Sequence, residues 1–170
     1  SQNKKINIGI RLNPNIDGKT LDKISTGKKT DKFGIDNDKL DEIFHVLESS
    51  KSVNLIGISC HIGSQIFSIN VFTEIFQKMK TNAQIFLDKG YTIKHVDLGG
   101  GLGVNYHQDQ EILNLELVKN EMDKCYFDVP YKLSFEPGRY LVANAGILVT
   151  TVTTIKNNGG VNYLITDAGM

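Results

Sequence analysis

The sequence has no excess charge of either sign: 19 Lys and Arg residues balance 19 Asp and Glu residues in a chain of 170. That balance leaves no basic footprint for nucleic acid or for an anionic membrane surface, so neither is expected as a partner. An apolar run long enough to span a bilayer is also lacking. Cysteine is scarce. Cys60 and Cys125 are too few for a disulfide framework. Both lie in apolar stretches and read as buried free thiols, which fits a reducing, cytoplasmic compartment. The four histidines show no metal-ligand spacing, so no metal site is expected. Asp36-Asn37-Asp38 resembles the opening of a calcium loop, but the loop's glycine and terminal glutamate are missing.

Against these absences stand 16 glycines and a regular hydrophobic rhythm. Ile6, Ile8, Ile10 and Leu12 alternate with Asn7, Gly9 and Arg11, the period of a strand, which Asn13-Pro14-Asn15 stops. Residues 15–34 are polar and glycine-bearing, a long loop. Leu40, Ile43, Phe44 and Leu47 recur at helical spacing. Residues 53–60 form a nearly unbroken apolar run, as a strand buried on both faces would. Asn70 is a candidate cap for a helix whose inner stripe is Phe72, Ile75, Phe76, Met79, Ala83 and Phe86 and whose end is Gly90. Residues 93–98 are a strand, Ile112 to Met122 a helix and residues 131–135 a strand. From there the pattern is β-rich, with strands at 147–155 and 161–165 about the turn Asn157-Asn158-Gly159-Gly160. Strand and helix alternate until then, which predicts an α/β fold with a parallel sheet and helical crossovers. A second, all-β region is expected to open at residue 146.

Three chemistry-bearing strings fall at the C-terminal ends of predicted strands, where βα barrels and open α/β sheets place their sites. They are Cys60-His61-Ile62-Gly63-Ser64-Gln65, then Asp97-Leu98-Gly99-Gly100-Gly101-Leu102-Gly103, then Glu136-Pro137-Gly138-Arg139. The glycine run can turn its N–H groups toward a phosphate, or it can be a tight turn that allows close strand packing. It fits neither the P-loop nor the dinucleotide fingerprint. His61 is either a ligand contact or a structural histidine, and alternation places it on the face opposite Cys60. Ser64 can offer a hydroxyl to a phosphate or cap a turn. Glu136 and Arg139 are either a local ion pair or a carboxylate and a guanidinium presented to an amphoteric ligand.

Together the strings resemble the fold-type-III pyridoxal-phosphate decarboxylases, whose H-x-G-S, G-G-G and E-P-G-R motifs follow one another on successive barrel strands. The resemblance covers essentially the whole chain. It implies the C-terminal half of an alanine-racemase-like (β/α)8 TIM barrel in residues 1–145, the last four of its eight strands. Residues 146–170 would begin a C-terminal β domain. The cofactor implied is pyridoxal 5′-phosphate. His61 would stack on its ring. Ser64, Gly99, Gly100, Gly101 and Gly138 would hold its phosphate. Glu136 would meet the ring nitrogen, and Arg139 would serve both phosphate and substrate. Within the family, Ile24-Ser25-Thr26-Gly27, Lys32-Phe33-Gly34-Ile35 and Asp167-Ala168-Gly169-Met170 are similar to the branch that converts meso-2,6-diaminopimelate to L-lysine and CO2. Branches acting on ornithine, arginine or carboxynorspermidine share the phosphate and Glu/Arg motifs but not this set, and a non-catalytic cofactor-binding module would not need Glu136. Leu21 departs from the histidine common there. The resemblance further implies a homodimer. It places the family's cofactor-linked lysine and proton-donating cysteine outside these residues, so the piece alone is expected to be inactive.

Overall fold

The computed structural model describes residues 4–18, 27, 32–106 and 112–169. The similar segment Ile24-Ser25-Thr26-Gly27, apart from Gly27, lies outside the described residues, as do Leu21 and Met170. Two compact units divide the chain, residues 1–140 and residues 141–170.

The first unit is built on strands β1 (Ile6–Asn13), β2 (Ile35–Asp36), β3 (Val53–Ser59), β4 (His95–Asp97) and β5 (Lys132–Ser134), and on helices α1 (Leu40–Ser49), α2 (Ile69–Asp88) and α3 (Leu115–Cys125). A short helix, α4 (Gly138–Val142), follows β5. The strands form one five-stranded sheet in the order β2-β1-β3-β4-β5, and every pairing is parallel. Parallel neighbours need crossovers of helical length, and α1, α2 and α3 supply them from β2 onward. The two-residue β2 was not legible in the sequence, because two residues carry no period. Its register with Leu12 and Asn13 is set by tertiary contact.

Helix α2 organises the core. Val71, Phe72, Ile75, Phe76, Met79, Ala83 and Phe86 recur on one face and are all buried, the stripe expected of an amphipathic helix against a sheet. Phe86 meets Phe44 edge-on at 5.1 Å, and Phe76 meets Tyr126 at 6.1 Å. The Tyr126 hydroxyl donates to the Phe76 carbonyl oxygen over 2.8 Å, which satisfies a polar atom in the aromatic cluster. Gly90, at φ +85°, ends the helix. Its N–H donates to Leu87 and that of Tyr91 to Phe86, the left-handed termination that favours glycine. One part-buried amide pair pins α2 to the turn before α1: Asn37 and Asn82 exchange hydrogen bonds of 2.9 and 3.3 Å.

Several boundaries differ from the sequence expectation. The cap of α2 is Ser68, and Asn70 is the helix's exposed second residue. The third helix begins at Leu115, not Ile112. Asn114 caps it by accepting the Leu117 N–H, a local bond that outweighs the apolar match of an exposed Ile112. Cys60 is buried, but Cys125 is only partly so, since it lies in the last turn of α3.

The second unit is a hairpin of β6 (Val152–Asn158) and β7 (Val161–Thr166). Its strand starts and ends later than the expected 147–155. Gly159 and Gly160, at φ +58° and +80°, make the whole turn, so Asn157 and Asn158 pair with Asn162 and Val161. Two successive positive φ values are what a two-residue hairpin turn requires. Asp167 closes the base of the hairpin, accepting from the Thr150 hydroxyl and the Thr151 N–H. No helix among the described residues is long and apolar enough to cross a membrane.

Candidate active site

Strands β3, β4 and β5 end side by side, and the ladder continues past them. The Cys60 N–H donates to Asp97 O, Leu98 N–H to Ser134 O and Glu136 N–H to Gly99 O. The three motifs are therefore neighbours because parallel strands put all their C-terminal ends on one edge. The first two loops are also zipped together beyond the sheet. Ile66 N–H donates to Gly101 O, Gly103 N–H donates to Ile66 O, and the two loops form the bridge Ile66–Leu102. Gln65 completes the zip from an unusual left-handed backbone at φ +63°. Its amide accepts the Val104 N–H over 2.8 Å and donates to the Val104 carbonyl over 3.0 Å, as a strand neighbour would.

The glycines allow this proximity. A Cβ on Gly99 would lie 2.4 Å from Cys60 O, one on Gly100 2.1 Å from Glu136 O and one on Gly101 2.2 Å from Gly63 O. All three distances are impossible for a real side chain. Gly99 and Gly101 also have positive φ. Close packing thus accounts for these three glycines without a ligand. Gly138 is different: nothing among the described residues lies within 4 Å of where its Cβ would be.

A concave pocket of about 180 Å³ opens on this edge, lined by His61, Ser64, Gly101, Leu102, Glu136, Pro137, Gly138, Arg139 and Tyr140. Six of the eight residues expected from sequence line it: His61, Ser64, Gly101, Glu136, Gly138 and Arg139. Gly99 and Gly100 are buried and do not. Their N–H groups are committed within the protein, Gly99 to Asp97 Oδ1 over 2.7 Å and Gly100 to His61 Nδ1 over 3.2 Å. Sequence reasoning gave no role to Leu102 or Tyr140, which line the pocket. It also gave none to Asp97, whose second carboxylate oxygen accepts the Ser134 hydroxyl over 2.9 Å, or to Arg11, which donates to the His61 carbonyl over 3.2 Å. The position of Asp97, two residues before Gly99 at a strand end, was the available signal.

Burial and a neighbouring charge favour the neutral form of the site's imidazole. Burial, and after it the Arg11 guanidinium, lower the pKa of His61, against a smaller opposing effect of Glu136 and Asp97. Burial, with Asp97 adding to it, pushes the Cys60 thiol up to about 12, so it stays protonated and inert. No cluster of metal-ligating side chains exists among the described residues.

The donor set fits pyridoxal phosphate. A hydroxyl, a guanidinium and glycine backbone suit the phosphate, a carboxylate suits a protonated pyridine nitrogen, and a neutral imidazole suits the ring's face. The space beside Gly138, open among the described residues, leaves room for a ligand. At about 180 Å³ the pocket is below the roughly 300–1,000 Å³ of complete ligand sites, as one wall of a larger site would be.

Known proteins agree with this geometry. Residues 1–143 match the family model described as the pyridoxal-binding domain of pyridoxal-dependent decarboxylases. The chain is 36% identical over 167 residues to diaminopimelate decarboxylase of Aquifex aeolicus and 37% identical over 166 residues to that of Vibrio cholerae, covering 98% of this chain in each case. It spans 40% of the length of each of these relatives. Among solved structures, diaminopimelate decarboxylase of Helicobacter pylori complexed with L-lysine superposes with a TM-score of 0.84 at 35% identity, covering 98% of this chain and 42% of that one. The parallel sheet, the three adjoining loops and the match over residues 1–143 lead to one assignment: the chain belongs to the pyridoxal-dependent decarboxylases, as part of their cofactor-binding barrel.

Proposed function

We propose that the whole protein decarboxylates meso-2,6-diaminopimelate to L-lysine and CO2, the closing step of lysine biosynthesis, with pyridoxal 5′-phosphate as cofactor. The observation that carries this reading is the convergence of His61, Ser64, Gly101, Glu136, Gly138 and Arg139 on one pocket in a chain 36–37% identical to two diaminopimelate decarboxylases. When bound, the cofactor supplies an electron sink for the negative charge that loss of CO2 leaves on the substrate's α-carbon.

The chain's own residues divide the remaining work. Ser64, Gly101, Gly138 and Arg139 would hold the phosphate, within a wall to which Gly99 and Gly100 give its shape. The Glu136 carboxylate would keep a proton on the ring nitrogen, which preserves the ring's pull on electrons. The neutral His61 imidazole would fix the ring plane without adding a competing positive charge. Arg139 would also face the substrate side. Residues 146–170 fit the opening of a β domain, and their hairpin supports that division. A homodimer in the cytoplasm completes the reading, which the two free thiols favour as regards a reducing compartment.

The test is CO2 release by the whole protein, loaded with pyridoxal phosphate, from meso-diaminopimelate beside ornithine and arginine. Turnover of diaminopimelate alone is expected. Turnover only of another amino acid would overturn the substrate while keeping the chemistry, and cofactor binding without turnover of any would leave a binding module.

A further inference from the structure

Between the three loops lies a single peptide unit held from both sides. The Gly99 carbonyl accepts the Glu136 N–H over 2.7 Å, and on the same peptide plane the Gly100 N–H donates to His61 Nδ1 over 3.2 Å. A trans peptide points its C=O and N–H in opposite directions, so this one spans from the β5 loop to the β3 loop. Glycine peptides turn over easily, because glycine accepts both signs of φ. Gly99 already sits at φ +74°. Something must therefore hold the peptide's direction, and the preceding N–H, that of Gly99, is fixed by Asp97 Oδ1 over 2.7 Å. Asp97 is itself braced across the sheet by the Ser134 hydroxyl at Oδ2.

The direction of that peptide decides the state of His61. An N–H aimed at Nδ1 requires a lone pair there, which leaves the ring proton on Nε2 and rules out the doubly protonated ring. A turned-over peptide would aim a carbonyl oxygen at Nδ1 and call for the other tautomer. We propose that Asp97 is a positioning residue that, through the Gly99-Gly100 peptide, holds His61 in one orientation as the neutral Nε2–H tautomer and so presets the surface on which the cofactor ring rests. The charges that face His61 act on the same balance: Arg11 from β1 opposes protonation, while Glu136 after β5 and Asp97 on β4 favour it less strongly than burial and Arg11 disfavour it.

This inference rests on the reading of the pocket as a pyridoxal-phosphate site, but its first readout does not. In whole protein labelled with 15N-histidine and free of cofactor, with the His61 signals identified by their loss in His61→Gln, the expected pattern at neutral pH is a protonated Nε2 and a bare Nδ1. Asp97→Ala is expected to mix the two tautomers and to weaken pyridoxal-phosphate binding on the order of tenfold or more, as misplacement of a positioning group does. Asp97→Asn should restore the wild-type tautomer: its Oδ1 can accept from Gly99 and its Nδ2 can donate to the Ser134 hydroxyl oxygen. Loss of folding alone would not be reversed by that substitution in tautomer and affinity together. If Asp97→Ala does not fold, Ser134→Ala removes only the brace, and a measurable share of Nδ1–H tautomer is then expected. A proton on Nδ1 in the wild type, or an unchanged tautomer in the variant used, overturns the proposal. Protein with the expected tautomer that binds no pyridoxal phosphate would instead overturn the cofactor reading and leave the tautomer lock standing.

Discussion

The glycine loop after β4 and the Glu-Pro-Gly-Arg bend after β5 line the same pocket, yet their glycines exist for opposite reasons. In the first, added methyl groups would collide with backbone oxygens at 2.1–2.4 Å. Its N–H groups at Gly99 and Gly100 are already engaged. In the second, nothing among the described residues lies within 4 Å of a Cβ built on Gly138, although its N–H donates to Glu136 O over 2.9 Å, and its neighbours Glu136 and Arg139 are exposed. One loop is a spacer fixed by the protein, and the other leaves its glycine open toward the pocket. A glycine-rich string is thus weak evidence of a binding site until the demands of the backbone around it are known.

The sharpest way to break this comparison is Gly100→Ala. The new methyl must displace the Glu136 carbonyl, which is part of the backbone joining β5 to α4. A destabilisation of about 3 kcal/mol or more is expected, the range of strained overpacking. Urea unfolding of the cofactor-free whole protein measures it, and a loss below about 1 kcal/mol would mean that the loops can part at little cost.

Gln65→Leu tests the zip that holds the glycine loop in place. The buried Val104 loses both partners, and an unsatisfied buried N–H costs on the order of 1–3 kcal/mol. A loss of about 2 kcal/mol is expected in the same unfolding experiment. Gln65→Gly relieves the positive φ of 63° but not the missing bonds, so it should recover only part of the loss.

How much of this was legible from sequence follows from the range over which each feature is encoded. The inner stripe of α2 and the alternation in β1 are periodic over many residues, so their elements were found. The three motifs were located because strand ends in a parallel sheet share one edge, a rule of topology that sequence order already satisfies. Gln65 and Val104 are 39 residues apart in sequence, as are His61 and Gly100, and nothing local marks such pairs. The caps at Ser68 and Asn114 were missed for the converse reason. They depend on one or two residues at a boundary, where a helix-wide stripe says little.

A smaller effect concerns acidity. Because His61 has a pKa lowered below its ordinary 6.5, the unfolded chain takes up a proton at a higher pH than the folded one. Its contribution to stability is therefore complete above pH 6.5, declines as pH falls through the window between 6.5 and the lowered folded value, and is gone below it. The ring is only half-buried, so solvent screening keeps the effect small. Urea midpoints from neutral to mildly acidic pH should fall in the wild type and flatten in His61→Gln. Equal slopes would show that burial and Arg11 do not lower the proton affinity of the imidazole in the folded protein.

The smallest effect on stability is expected at the other loop, and there the smallness is the point. Gly138→Ala adds a methyl group where no atom of the described residues lies within 4 Å, at a glycine without the positive φ of Gly99 or Gly101. The change in unfolding free energy should stay within about 0.5 kcal/mol. It can even be slightly stabilising, since alanine has less freedom to lose on folding. The same methyl would narrow the pocket that we propose holds the cofactor, so pyridoxal-phosphate affinity, read from cofactor fluorescence on titration, should drop while the midpoint of unfolding does not. Gly100→Ala predicts the reverse order of effects, with stability lost before binding can be measured. A Gly138→Ala protein that binds the cofactor normally but unfolds early would erase the distinction between the two loops. It would make both glycines spacers, and the pocket's claim to a phosphate would then rest on Ser64 and Arg139.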